Sequence, residues 1–364
     1  MQLNISLTRM VWERYTMKMA FEDPPAYPLQ NDITTLEALQ NANHVVNLKA
    51  VSASNSPNPA PTSFRPHLNP FLSAGLRYEH YLLEYMPNGS LERFIERVSA
   101  NKLIDRFSNR FLFHIFLCAV RACAAMAWTP VRQLDAFGYQ LPEAAQERPP
   151  LPFVHGAIRP GHWLFGSVDE HSFEHTHVPI MKLAGFDESY VENDVEPRMP
   201  PVLPSRSAAA AKGKETPPAF EFDLKAGIVK EGYSPMSPPL GTFNLATQIN
   251  VLNVGVLMAN IVLEDDGRLT ADEVREQLGP RDKWKRNTDP GYDPDLLELI
   301  AICIAVDPNN RPTISELLDT LKVYVAERDG RYYVHRKLPG CERETNGYLR
   351  RLVQTYMYDA SDAE

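Results

Sequence analysis

The sequence contains few cysteines and no excess of positive charge. Its 364 residues include four cysteines, none of them in a Cys-x-x-Cys pair, so neither a disulfide framework nor a cysteine-based zinc site is indicated. Isolated cysteines of this kind are typical of small buried side chains in a reducing compartment. The formal net charge of −9 argues against a general nucleic-acid-binding protein. Such a protein needs clustered Lys and Arg to neutralise phosphates.

The sequence also shows no targeting signal and no uninterrupted apolar run long enough to cross a membrane. Residues 1–4 do not provide a basic start followed by an apolar core. The most apolar stretch, Phe111 to Trp128, is interrupted by His114 and Arg121 and is predicted to be a buried helix. We therefore expect a cytoplasmic or nuclear protein that binds neither membranes nor nucleic acid.

Proline is abundant, with 31 residues, and unevenly spread along the chain. Residues 52–71, rich in Ser, Asn and Pro, predict a loop. Residues 129–152 are rich in Pro, Gln and Glu and predict an insertion. Residues 191–231 hold too few large apolar side chains to offset the entropy of ordering, so we expect them to be disordered. The overall composition, 44% apolar and 23% charged, is that of an ordinary soluble globular protein.

Several short motifs occur in a fixed order along the chain. They are Tyr15-Thr-Met-Lys-Met19, His80-Tyr-Leu-Leu-Glu-Tyr-Met-Pro-Asn-Gly-Ser-Leu91, His155-Gly-Ala-Ile-Arg-Pro-Gly-His-Trp-Leu164, Lys182-Leu-Ala-Gly-Phe-Asp187, Gln248-Ile-Asn-Val-Leu-Asn-Val-Gly-Val-Leu-Met258 and Asp307-Pro-Asn-Asn-Arg-Pro-Thr313. Each motif is weak alone, but the ordered set resembles the eukaryotic protein kinase family. Unrelated chains would not reproduce both the spacing and the residues. The resemblance covers roughly residues 10–325.

The resemblance implies an α+β, two-lobed, protein-kinase-like fold. A small, mostly β N-lobe would occupy residues 1–86, and a mainly helical C-lobe residues 87–325. No glycine precedes Lys18, where the family has its glycine-rich phosphate loop, so we expect an N-lobe that is truncated or lacks this loop. Residues 326–364 would form a C-terminal extension with one amphipathic helix that packs on the domain, marked by apolar residues from Leu349 to Tyr356.

The resemblance also implies a nucleotide pocket. Lys18 would be the strand lysine that reaches the phosphates of ATP. Its carboxylate partner on the following helix maps nearest to Thr35 or Glu37. Glu84 and Met86 would lie in the hinge, whose backbone binds the adenine ring in this family.

The positions that carry the family's chemistry depart from its pattern. Ala157 replaces the catalytic Asp, His162 the metal-binding Asn, and Gly185 the magnesium-binding Asp. Ala157 has no oxygen to accept a substrate proton, and magnesium prefers oxygen ligands that His162 and Gly185 do not provide. Asp187, with Glu188 beside it, is the candidate for a replacement metal ligand, because a shift of two residues keeps the same face of an extended chain.

Other positions leave open questions. His171, His175 and His177 lie close together and suggest a metal site. No Cys or carboxylate cluster completes such a site, so we expect an exposed loop instead. Asn250 stands where the family has an Asp that braces the catalytic loop. Arg311 lacks the glutamate that usually pairs with it, and we expect it to find another carboxylate or to be more exposed.

These observations predict a catalytically inactive pseudokinase that regulates or scaffolds a protein partner. ATP binding should be weak or lost, and a magnesium cofactor is not expected. Two alternatives stay open. One is a divergent, active protein kinase that transfers phosphate from ATP to protein Ser or Thr. The other is a transferase on the same fold that acts on a small molecule, although no residue points to such a substrate.

Overall fold

Helices and small antiparallel sheets together build the protein. The computed structural model describes residues 14–19, 29–51, 80–100, 107–129, 143–192, 244–263, 269–278 and 291–359. These residues combine helices with a three-stranded sheet and two two-stranded ladders. The predicted α+β class is therefore confirmed, while the two-lobed kinase-like arrangement and its boundaries stay predictions. The predicted loop at 52–71 and residues 193–231 of the segment expected to be disordered lie outside the described residues.

The larger sheet brings together strands that are far apart in the sequence. Its strands are β1 (Tyr15–Met19), β2 (Leu48–Val51) and β3 (His80–Glu84). They pair antiparallel in the order β1-β3-β2, so β3 is central and buries Tyr81 and Leu83. The shorter ladders pair β4 (Phe153–Val154) with β7 (Tyr190–Val191), and β5 (Trp163–Phe165) with β6 (Met181–Leu183).

Helix α1 spans Leu29–Ala38. Leu29, Ile33 and Leu36 recur at helical spacing and form its buried face. Asp32 lies within the first turn and is buried with them. Its carboxylate is therefore available to residues outside the helix.

Two long apolar helices form the centre of the protein. Helix α3 (Asn109–Ala127) follows α2 (Leu91–Ala100) and has every side chain buried, as the sequence predicted. It and α4 (Leu245–Val262) are long and apolar enough to span a membrane, but they are 100% and 72% buried inside the protein. Both are therefore consistent with the core helices of a soluble protein.

The next three helices along the described chain begin at caps that can be recognised in the sequence. They are α5 (Ala271–Leu278), α6 (Pro294–Cys303) and α7 (Ile314–Glu327). Thr313 and Glu316 form a reciprocal capping box at the start of α7. Thr270 and Glu273 make the same pair of hydrogen bonds ahead of α5. These starts are set by local sequence, which is why they could be predicted.

Arg311 is buried, which decides between the two predicted alternatives only in part. Only 8% of it is exposed, and its guanidinium donates to the backbone carbonyls of Ala305, Gln248 and Val306 at 2.9, 3.1 and 3.3 Å. The alternative of greater exposure is therefore wrong, and a carboxylate partner stays a prediction. Backbone carbonyls satisfy a buried guanidinium because each offers two lone pairs.

The C-terminal residues pack against the rest of the protein. The predicted amphipathic helix is present as α9 (Asn346–Val353), with Leu349, Leu352 and Val353 buried. It is preceded by a further helix, α8 (Gly330–Arg336), and by a 3-10 turn at Cys341–Glu344 that the sequence did not reveal. A π-helical turn, Gln354–Tyr358, follows α9. Packing on the domain, as predicted, is confirmed for these described residues.

Candidate functional site

Asn250 of helix α4 anchors the start of the segment from His155 to Leu164. The Asn250 side-chain amide donates to the carbonyl of Phe153 at 2.7 Å, and its oxygen accepts from the backbone N–H of His155 at 3.2 Å. Asn250 is almost fully buried, so its side chain is held in place and these hydrogen bonds fix the backbone of the loop. Asn250 therefore braces this loop, as its place in the sequence pattern predicts.

His155 links this loop to the segment around Gly185. Its ring is fully buried; Nε2–H donates to the carbonyl of Ala184 at 3.1 Å, and Nδ1 accepts from the backbone N–H of Ala157 at 3.2 Å. Burial, with a smaller contribution from His162, lowers the pKa of His155 to about 3. His155 is therefore a neutral structural residue at physiological pH.

We expect His155 to make the protein less stable in acid. Its pKa falls from 6.5 to about 3 on folding, so the unfolded state binds the additional proton between these values. The contribution of neutral His155 to stability is therefore fully present above about pH 6.5. It falls as the pH is lowered, by about 2 kcal/mol at pH 5. In urea unfolding, the free energy of unfolding should decrease less between pH 7.5 and pH 5 for His155→Gln than for the wild type.

The same comparison with His171→Gln provides the control, because His171 is exposed. Arg159, His162 and Asp187 contribute to the lowered pKa of His155 and are present in both proteins, so their own protonation affects both proteins. Equal drops for the wild type and His155→Gln would contradict the assignment.

His162 is not available as a metal ligand in this arrangement. Its Nδ1–H donates to the carbonyl of Ala157 at 2.8 Å, and its Nε2 accepts from Nε of Arg159 at 3.1 Å. Burial and the positive charge of Arg159 lower the pKa of His162. Both ring nitrogens of a neutral imidazole are thus occupied, and neither keeps a lone pair for a cation.

Gly185 is packed directly against His162. Its φ is +76°, and a Cβ atom at this position would lie 3.0 Å from atoms of the imidazole ring. An aspartate here would have to adopt a left-handed backbone conformation, at a cost of about 1–2 kcal/mol, and displace the ring. Ala157, His162 and Gly185 therefore do not fit magnesium. The ion prefers oxygen ligands, which none of these side chains provides.

Lys18 pairs with Asp32, and the predicted partners Thr35 and Glu37 are wrong. The Lys18 ammonium donates to Asp32 Oδ2 at 2.7 Å and to Asp187 Oδ1 at 3.3 Å. Burial alone would lower the pKa of Lys18, but these carboxylates outweigh burial and raise it. Glu37 is exposed and Thr35 hydrogen-bonds with Ser189, so neither is the partner of Lys18.

Asp32 is a residue of this site that the sequence pattern did not predict. It is 1% exposed, and its carboxylate also accepts from the Tyr81 hydroxyl and, at 3.1 Å, from the backbone N–H of Phe186. One signal was present: Asp32 lies next to Ile33 on the apolar face of α1, where a carboxylate is stable only with buried partners.

Asp187 is committed to Lys18, and the premise of its predicted metal role is wrong. Residues Phe186–Glu188 form a 3-10 turn after the left-handed Gly185, so the chain is not extended here and a two-residue shift does not keep the same face. The side-chain amide of Asn31 holds this turn by donating to the carbonyls of Asp187 and Ser189 at 3.0 and 2.8 Å. Burial would raise the pKa of Asp187, but Lys18 outweighs it and lowers the pKa.

The predicted hinge residues lie at the end of β3. The Glu84 carboxylate accepts from Nζ of Lys182 and from the backbone N–H of Asn47, both at 2.8 Å. The backbone N–H of Glu84 in turn donates to the carbonyl of Asn47 at 3.0 Å. Because the backbone N–H of Glu84 is already bonded, it is not available to an adenine ring. Met86, which is mostly buried, is therefore the remaining predicted hinge residue.

The three clustered histidines do not share one environment. His171 is exposed and His177 is partly buried, whereas His175 is buried beside His44 and Cys118. The expected exposed loop is therefore wrong for His175, and a cysteine does lie beside it.

In comparisons with known proteins, no family model and no curated protein matches this chain.

Proposed function

We propose that this chain is a protein-kinase-like domain that has no phosphotransferase activity and acts as a regulatory or scaffolding module for a protein partner in the cytoplasm or nucleus. The observation that carries the proposal is the packing of His162 between Ala157 and Gly185. Phosphoryl transfer depends on carboxylates and metal ions that position the reactants and stabilise developing charge. These positions offer neither.

The pairing of Lys18 with Asp32 supports the kinase-like part of the proposal. It joins a strand of the larger sheet to α1, as a family lysine would be joined to its helix carboxylate. Asn250 supports it as well, since it holds the loop at His155 through two backbone contacts. These contacts hold strand, helix and loop together without supplying groups for phosphoryl transfer.

The internal neutralisation of charge supports the scaffolding part. Lys18 lies between Asp32 and Asp187, so its charge is balanced without a nucleotide. Asn31 of α1 binds the backbone of the 3-10 turn at Phe186–Glu188, so helix and turn are joined. A surface that is assembled before binding loses less conformational entropy when a partner docks.

The test combines nucleotide binding with phosphotransfer. The purified chain is titrated with ATP, with and without magnesium, while its thermal unfolding is followed, and it is incubated with labelled ATP and a general protein substrate. We expect no transfer of label and no thermal shift that depends on magnesium. Lys18→Met should abolish any small metal-independent shift, whereas Lys49→Met, an exposed lysine on the neighbouring strand β2, should not.

A divergent, active kinase is the competing function, and one contact favours it. Asp187 lies 3.3 Å from Lys18, where a rearranged turn would bring a carboxylate close to bound phosphates. Label incorporation that disappears in both Lys18→Met and Asp187→Ala would establish that alternative. It would also overturn the inactive module proposed above.

A further inference from the structure

His44, Cys118 and His175 form a buried cluster that shares no residue with the Lys18 site. His44 lies in the turn between α1 and β2, Cys118 in the middle of α3, and His175 in the turn between β5 and β6. One ligand atom of each lies within 4.8 Å of the others, and Nε2 of His44 is 3.3 Å from Nε2 of His175. All three side chains are buried. Nitrogen and sulfur donors thus converge from separate parts of the chain.

The distance between the two imidazole nitrogens matches that between ligands of a tetrahedral zinc ion, and Cys118 Sγ lies within 4.8 Å of both. Zinc binds imidazole nitrogen at about 2.0–2.1 Å and thiolate sulfur at about 2.3 Å, so two ligating nitrogens lie about 3.3 Å apart and a nitrogen and a sulfur about 3.6 Å apart. The observed separation of the imidazole nitrogens, 3.3 Å, is this value. Imidazole with thiolate is also a ligand set that suits zinc rather than magnesium or calcium.

Glu143 orients His44 for such a role. Its carboxylate accepts from Nδ1–H of His44 at 2.6 Å and from the His44 backbone N–H at 2.8 Å. With Nδ1 committed to this carboxylate, Nε2 is the nitrogen that faces Cys118 and His175. A carboxylate behind a ligating histidine is the usual arrangement in zinc proteins, where it fixes the ring and strengthens the ligand.

We propose that His44, Cys118 and His175 bind a zinc ion, with Glu143 as a positioning residue. The charges balance, since the ion carries two positive charges and the thiolate and the Glu143 carboxylate one negative charge each. Arg121, on the same helix as Cys118, does not oppose the ion, because its guanidinium is paired with the Glu174 carboxylate. A buried cluster without net charge avoids the cost of an unpaired ion.

The fourth ligand of a tetrahedral ion would be a water molecule. The bound ion would join the α1–β2 turn, helix α3 and the β5–β6 turn, and metal binding at such a junction stabilises the folded state.

The test measures zinc directly on the full chain. We expect the purified protein to hold about one zinc ion per chain by elemental analysis, and its cobalt-substituted form to show sulfur-to-metal absorption. Cys118→Ser and His175→Ala should each lower zinc affinity at least tenfold, and Glu143→Gln about 10–100-fold. Cys123→Ser, a buried cysteine on the same helix, and His171→Ala, in the same turn as His175, should keep wild-type affinity.

Two results would overturn the proposal. One is a folded wild-type chain that takes up no zinc in a direct titration. The other is a cobalt spectrum that Cys118→Ser leaves unchanged. If the variants do not fold, X-ray absorption on the metal-loaded wild type decides alone: a shell with one sulfur and at least two nitrogens supports the site, and a shell of oxygen only refutes it.

Discussion

Replacement of Glu344 by alanine should lower the free energy of unfolding by about 3–5 kcal/mol. Glu344 is completely buried, and its carboxylate lies at the start of the long central helix α3. Oε1 accepts from the backbone N–H and the side-chain amide of Asn109, both at 2.9 Å. Oε2 accepts from Oγ of Ser108 at 2.7 Å and from the backbone N–H of Arg110 at 3.0 Å.

The expected loss is large because the carboxylate satisfies several buried donors at once. The first N–H groups of any helix have no partner within the helix, and the helix dipole favours a negative charge there. Alanine would leave the N–H groups of Asn109 and Arg110 without this partner, away from water. The cost is therefore the desolvation of unpaired groups as well as the loss of a favourable charge interaction.

The matched control is Glu342→Ala, two residues earlier in the same 3-10 turn. The Glu342 side chain is 72% exposed, and its removal should change stability by less than about 0.5 kcal/mol. Chemical unfolding followed by circular dichroism compares the variants, and Glu344→Gln, which keeps one acceptor oxygen, should lie between them. Equal unfolding midpoints for Glu344→Ala and Glu342→Ala would show that the cap contributes nothing.

Replacement of Asp32 by alanine should cost about 2–4 kcal/mol of stability. It would remove the acceptor of the Tyr81 hydroxyl and of the Phe186 backbone N–H, both of which are buried. Lys18 would lose its shorter ion pair but keep Asp187 at 3.3 Å. Because the Lys18 side chain is 37% exposed, solvent replaces part of that interaction, and most of the loss comes from the buried donors.

Glu37→Ala on the same helix is the control for Asp32→Ala. Glu37 is exposed, and its removal should leave thermal and chemical unfolding within about 0.5 kcal/mol of the wild type. The comparison also tests the register of α1, since a lysine partner at Glu37 would reverse the order of the two effects. A larger loss in Glu37→Ala than in Asp32→Ala would refute the observed pairing.

The parts of the fold that could be predicted depend on residues close together in the chain. The apolar run of α3 predicted a buried helix, and the structure has it. The start of α7 likewise follows a local pattern, a Thr with a Glu three residues on, which forms its capping box. The buried face of α9 followed from the helical spacing of Leu349, Leu352 and Val353. Periodicity and capping are local, so the sequence contains the whole pattern.

The candidate site was predicted only in part, for a reason visible at Gly185. The absence of a carboxylate at residues 157 and 185 and of a carboxamide at 162 could be stated from the sequence. That the His162 ring fills the space beside Gly185 could not, because it depends on the left-handed φ of +76° and on the hydrogen bonds of the ring. The extended-chain argument for Asp187 was wrong for the same reason.

The sequence by itself determined the buried helix α3, the buried face of α9 and the absence of a carboxylate at residues 157 and 185. The tertiary structure alone decided which groups meet. Lys18 and Asp32 are 14 residues apart, His44 and His175 131, and Asn109 and Glu344 235. No local pattern encodes such pairs, because burial in a shared core brings them together and the cost of leaving a buried charge or N–H unpaired then selects the partner.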